Sequence, residues 1–242
     1  MIRLSVNINK IATLRNARGG DVPSVLDAAR SAEAFGAQGI TVHPRPDERH
    51  IRYQDVRDLK KVVRTELNIE GYPDPRFLDL VREVRPDQLT LVPDKPGQLT
   101  SDHGWDTLGE ELFLKDVIQE IRPHVGRVSL FIDPRIGMAQ GAVRCGAERV
   151  ELYTEAYARA HAAGEGQSIL EIYRTAASEA KACGLGVNAG HDLDLDNLGP
   201  FIRAIPFLDE VSIGHALVSR ALYMGLENTI QAFLRVLGRD EA

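Results

Sequence analysis

The chain has 242 residues, 43% of them hydrophobic, which is enough for one large core or two small ones. Its 29 basic and 35 acidic side chains leave a formal charge of −6, which argues against nonspecific attraction to nucleic acid or an anionic membrane and leaves room for local basic sites only. No stretch has the make-up of a secretory signal or the length of a membrane span, so a cytoplasmic protein is expected, with Cys145 and Cys183 as free thiols.

In chain order, RLSVN (Arg3 to Asn7) predicts the first strand. DVPSVLDAARSAEAFGAQ follows, with Val25, Leu26, Ala29, Ala32 and Phe35 at helical spacing and Gly36 as a stop. GITVH (Gly39 to His43) precedes the helical QDVRDLKKVVRTE, and LNIE (Leu67 to Glu70) precedes DPRFLDLVREVRP. QLTLV (Gln88 to Val92) leads to ELFLKDVIQEIRP, and RVSLFID (Arg127 to Asp133) to RIGMAQGAVRCGA. RVELY (Arg149 to Tyr153) is followed by SILEIYRTAASEAKACGLG, and LGVNAG (Leu185 to Gly190) by LDNLGPFIRAIP. EVSIG (Glu210 to Gly214) is the eighth run, and one helix from about Ala216 to Leu237 closes the chain.

Most of these runs are too apolar for a sheet with one wet face, which predicts parallel strands covered on both sides. Eight strand and helix pairs in a chain of this length predict one (β/α)8 TIM-barrel domain over residues 1–242. A doubly wound open sheet is the alternative, but no Gly-rich dinucleotide loop follows the first strand. The connections PDKPGQLTSDHGWDTLGE and TEAYARAHAAGEGQ are longer than a barrel needs and read as lids, binding loops or oligomer contacts.

In such a barrel the strand C-termini open on one face. Those ends carry Asn7, His43, Glu70, Glu151, His191 and His215, with His50 a little beyond the second strand. One histidine after a strand is ordinary, whereas several from different exits point to proton transfer. Glu70, where a strand leaves the core, must be paired, hydrated or neutral. NAGHD and SIGHA put Gly190 and Gly214 at the last two exits, where backbone N–H groups could meet an anion beside His215. Arg15, Arg18 and Arg45 suit other anionic groups, with a solvated rim as their bland alternative. No metal is expected, because HxH and HExxH spacings are missing and no cysteine lies near the mouth. Pro44 and Pro46 hold the segment after His43 out of a helix, with Asp47, Glu48 and Arg49 read as loop structure and rim.

The blocks VNINKIATLRNARGG, GITVHPRPDERHI, LNIEGYP, LTLVPDKPGQLTS, VELYTE, VNAGHDLDLDN and VSIGHALVSRALYMGLE resemble the pyridoxine 5'-phosphate synthase family along essentially the whole chain. The resemblance implies a barrel with a few extra helices, assembled as an octamer. It implies condensation of 1-deoxy-D-xylulose 5-phosphate with 3-amino-2-oxopropyl phosphate to pyridoxine 5'-phosphate, phosphate and water, without metal or organic cofactor. It casts His43 as a general base, Glu70 as a second acid/base, His191 as a proton donor and Glu151 as a transition-state stabiliser. The aminoketone phosphate would meet Asn7, Arg18, Asp192, Gly214 and His215, and the pentulose phosphate would meet Asn9, Lys10, Arg45, His50 and Thr100. Many members have Asp-His where this chain has Asn9 and Lys10, and Gly where it has Asp192, whose carboxylate would repel an anion. The rival readings are a sugar-phosphate aldolase or isomerase using Lys10 as an imine-forming amine, and a phosphometabolite-binding barrel without catalysis.

Overall fold

A computed structural model describes residues 1–94 and 101–238. Eight parallel strands close in the order of the chain: β1 (Arg3–Asn7), β2 (Gly39–Val42), β3 (Leu67–Gly71), β4 (Gln88–Leu91), β5 (Arg127–Ile132), β6 (Arg149–Tyr153), β7 (Gly186–Gly190) and β8 (Glu210–Ile213), with β8 pairing back onto β1. The closed barrel is the predicted one and removes the open sheet as an alternative.

The strand interiors alternate more strictly than the apolar reading assumed. Leu4, Val6, Ile40, Val42, Leu67, Ile69, Val128, Leu130, Val187 and Val211 are buried in one hydrophobic cluster with the surrounding helices. Truncating one of these leucines to alanine would cost about 2–5 kcal/mol. The alternate residues form a polar inner wall. Ser5 Oγ and Thr41 Oγ1 lie 2.7 Å apart, Asn68 Nδ2 donates to Thr41 Oγ1, and Thr90 Oγ1 donates to Asn68 Oδ1 at 3.0 Å. At the opposite end Glu66 receives Arg3 at 2.7 Å and also Arg127. Both faces are covered, as expected, but the inner cover is a hydrogen-bonded network, which satisfies groups that would otherwise be costly to bury.

The outer helices are α2 (Val25–Ala34), α3 (Tyr53–Val62), α4 (Pro75–Val84), α5 (Glu111–Ile121), α6 (Met138–Cys145), α8 (Gly166–Ala182) and α9 (Leu198–Ala204). Ser24 Oγ accepts from Asp27 N to start α2, and Asp74 Oδ1 accepts from Phe77 N to start α4, where Pro75 needs no N–H partner. Three features differ from the sequence reading. Asn9–Asn16 forms a short helix, α1, directly after β1. The connection after β6 contains α7 (Glu155–Ala162) rather than a loop. The closing helix is two, α10 (His215–Met224) and α11 (Leu226–Val236), broken at Gly225, whose φ of 78° a helix interior cannot accept. No helix among the described residues is long and apolar enough to cross a membrane.

Candidate active site

The strand C-termini surround a cavity of about 780 Å³. Asn7 ends β1, His43 follows β2, Glu70 is the penultimate residue of β3, Glu151 sits on β6, and His191 follows β7. Gly214 caps α10 and His215 is its first residue, so a helix N-terminus faces the same space. Asn9, Lys10, Arg45, His50 and Asp192 complete the predicted residues that line it. Arg18 is exposed beyond α1 and does not line it, and Thr100 lies outside the described residues.

His43 is 6% exposed, and its Nδ1 lies 3.8 Å from Glu70 Oε2. That is too long for a hydrogen bond and short enough to close around a shared proton. Burial first, then Arg45 and His50, hold the His43 imidazole well below its usual range, so it is neutral at pH 7 and able to accept a proton. Burial pushes Glu70 up to about 7, against the opposing pull of His191. Burial and the charges of Glu70 and Glu210 push Glu151 well above the usual carboxylate range. A neutral base, a carboxyl poised near neutrality and a protonated acid therefore face one cavity.

The backbone around these groups is fixed by side chains. Asn7 Oδ1 accepts from Asn9 N at 3.0 Å, and Asn9 Oδ1 accepts from His43 N at 2.9 Å, which ties the ends of β1 and β2 together. His191 has a φ of 73°, and Thr154 Oγ1 donates to the carbonyls of Gly190 and His191. Holding a histidine in the left-handed region costs about 1–3 kcal/mol, a cost seen where geometry serves a site. His191 Nδ1 lies 2.7 Å from Asp192 Oδ2, and the ring meets Tyr153 edge-on at 5.0 Å. Asp192 is thus an orienting partner of His191, and that hydrogen bond holds its carboxyl below the usual range. His50 Nδ1 accepts from Ile51 N at 2.9 Å, which leaves the ring proton on Nε2, and burial with Arg45 and Lys10 lowers it to about 4.

Two sequence readings are corrected. Arg15 is neither an anion ligand nor a solvated rim: it is 3% exposed and donates to both oxygens of Asp55, at 2.7 and 2.8 Å. Gly190 does not line the cavity: its carbonyl binds Thr154, and a Cβ there would collide with Glu151 Oε1. Arg49, read as loop structure and rim, lines the cavity. Asp94, which was not singled out, receives Arg45 Nη2 and Ser101 Oγ on its Oδ2, each at 2.6 Å. Tyr153 ends a predicted strand and could have been found by the strand-end rule, whereas Asp94 acts through Arg45 and left no signal. Among the described residues no group of three or more His, Cys, Asp or Glu is arranged to hold a metal ion.

Acid/base groups at the strand-exit mouth, beside an arginine, a lysine and a helix N-terminus, give this barrel the make-up of an enzyme site suited to proton transfer on small anionic molecules. The fold is shared with phosphoribosylanthranilate isomerase from Thermotoga maritima (TM-score 0.63, 13% identity, 98% of this chain and 99% of that one). It is shared as well with a thiamine phosphate pyrophosphorylase from Pyrococcus furiosus (0.64, 14%, 98% and 96%). Residues 4–239 match the family model described as pyridoxal phosphate biosynthesis protein PdxJ. Curated relatives named pyridoxine 5'-phosphate synthase include those of Cytophaga hutchinsonii, 59% identical over 98% of this chain and 99% of its own, and Christiangramia forsetii, 57% over 98% and 100%. The chain belongs to the PdxJ family.

Proposed function

We infer that this chain is an enzyme with the activity its relatives are named for, pyridoxine 5'-phosphate synthase. The observation that carries the reading is the meeting of His43, Glu70, Glu151 and His191 in one cavity of a PdxJ-family barrel. Its substrates are 1-deoxy-D-xylulose 5-phosphate and 3-amino-2-oxopropyl phosphate, joined by imine formation, phosphate elimination, water addition and ring closure. These steps move protons both to and from carbon, nitrogen and oxygen. His43, neutral at pH 7, removes them. Glu70, near its own midpoint, serves in either direction, and His191, oriented by Asp192, returns them. Glu151 donates a hydrogen bond where oxyanion charge develops.

Two phosphates need two anion sites. Asn7, Asp192 N–H, Gly214 and His215 suit the aminoketone phosphate, with Arg18 as a further family position there and Thr100 as one for the pentulose phosphate. Asn9, Lys10, Arg45 and His50 suit the pentulose phosphate. No step requires a metal or organic cofactor. A cytoplasmic location and a homo-octamer belong to the same reading, and exposed Val22, Ile136, Leu222 and Tyr223 are candidates for contacts between copies. The test is turnover of the purified chain with both substrates. Pyridoxine 5'-phosphate and free phosphate should appear together. A folded sample that forms neither refutes the reading, and a borohydride-trapped adduct on Lys10 would favour the aldolase rival.

A further inference from the structure

Two carboxyl groups share the barrel's inner wall, and only one of them lines the cavity. Glu151 on β6 is in register with Asn188 on β7, and Asn188 with Glu210 on β8, so the three side chains form one cross-strand row. Two strand spacings put the outer backbones roughly 9–10 Å apart. Glu151 is 2% exposed and Glu210 1%, and Oε2 of each has no hydrogen-bond partner among the described residues.

The cations around this row are distributed unevenly. Arg3 Nε, from β1, lies 3.7 Å from Glu210 Oε2, and Asn188 Nδ2 donates to Glu210 Oε1 at 3.3 Å. Arg149 from β6 and Arg127 from β5 also favour a negative Glu210, against Glu66 ahead of β3. Arg149 in addition holds Asn188 by donating to its Oδ1 at 2.7 Å, which fixes the amide with its NH2 toward Glu210. The charges acting on Glu151 are those of Glu70 on β3 and Glu210 on β8, both of the same sign as its own.

We propose that Glu210 is a positioning residue: it takes the negative charge of this buried pair and so keeps Glu151 as a neutral carboxylic acid facing the cavity. Two like carboxyls in a shielded interior do not both ionise, and the one beside the arginines ionises first. The directions agree, since Glu210 is raised to about 7, and Glu151, without a cation, well above its usual range. Glu151 then offers a donor to oxygen, a role that rests on the synthase reading, although its protonation does not.

The test follows the carbonyl stretch of protonated carboxyl groups by infrared difference spectroscopy on the whole protein without substrate. At about pH 8.5, where Glu70 and Glu210 have largely ionised, the wild type should show a buried-acid band that Glu151→Gln lacks. In Glu210→Gln the same band should vanish at a pH lower by about one unit, the size expected for two charges on strands two spacings apart in a partly shielded interior. The alkaline limb of kcat should move down with it, and Glu210→Asp should restore both. Because Glu210→Gln alters a buried row, Arg3→Gln provides a second route: with its cation gone Glu210 ionises less readily, and the Glu151 band again shifts down. A band that survives Glu151→Gln, or one unshifted in whichever of the two variants folds, overturns the proposal. Absence of turnover with an intact band would sink the synthase reading alone.

Discussion

Gly190 makes room for Glu151: a Cβ on Gly190 would occupy the space of the Glu151 carboxylate oxygen Oε1. The two residues sit on neighbouring strands, and the missing side chain of one sets the position of the other. Gly190→Ala should therefore displace the carboxyl, lowering kcat by ~10² and stability by about 1–3 kcal/mol. The coupling is measurable as a cycle. In a Glu151→Ala background the same change should cost at least ~1 kcal/mol less on unfolding. Equal costs in both backgrounds would mean that the glycine serves some other neighbour.

Glu70→Gln keeps the size of the side chain and can still pair with Asn7, whose amide lies 3.5 Å away. It removes a group held near 7 that can both give and take a proton. Turnover should fall by ~10² or more, with substrate binding little changed. Unaltered kcat would take Glu70 out of the proton transfers.

Stability should depend on pH with a definite sign. Glu70 and Glu210 are raised to about 7 and Glu151 well above its usual range, so folding binds protons that the unfolded chain, titrating near ~4.3, has released. Their contribution is complete below that unfolded value and is lost as pH rises through the folded ones. His43 and His50 are depressed and act in the opposite sense, weakening the fold as pH drops below ~6.5. Of these groups only the carboxyls still titrate above that point, and the fold should weaken from neutral to alkaline pH. Glu151→Gln removes one of them. Its Tm relative to wild type should be higher at about pH 8.5 than at about pH 6, and a constant difference would show that Glu151 is not titrating as described.

Two buried arginines should answer differently to loss of charge. Arg15→Met leaves Asp55, 8% exposed, without its bidentate partner and should cost about 3–5 kcal/mol, with KM unchanged in whatever folds. Arg45→Met likewise takes the charge partner of Asp94, leaving Ser101 as its donor, but Arg45 also lines the cavity, so KM for one phosphorylated substrate should rise ~10-fold. Denaturant titrations beside steady-state kinetics separate the two, and a KM effect at Arg15 would return it to the binding residues.

The strands were legible because RLSVN, GITVH and RVELY carry both β propensity and turn signals. Their most informative feature was misread. Alternate residues are small polar or charged, and counting apolar content hid a period of two that separates a greasy outer face from a hydrogen-bonded inner one. The catalytic candidates at strand ends could be read because barrel topology converts position along a strand into depth. Helix α1 could not: Ile8 is its N-cap and makes no side-chain bond, and the helix buries only Ala12 and Arg15. The Arg15 and Asp55 pairing spans 40 residues, and no local pattern encodes it.

The polar inner wall also bears on how the protein responds to temperature. Exposing apolar surface raises the heat capacity on unfolding, whereas exposing polar surface lowers it. Ser5, Thr41, Asn68, Thr90, Ser129, Asn188 and Glu210 fill positions that a hydrocarbon-packed barrel gives to valine, leucine and isoleucine. Melting this barrel releases its amides, hydroxyls and carboxyls to water with the surrounding apolar layer. Its stability curve should accordingly be broader and flatter than that of a barrel of equal length filled with aliphatic side chains, with less tendency to cold denaturation.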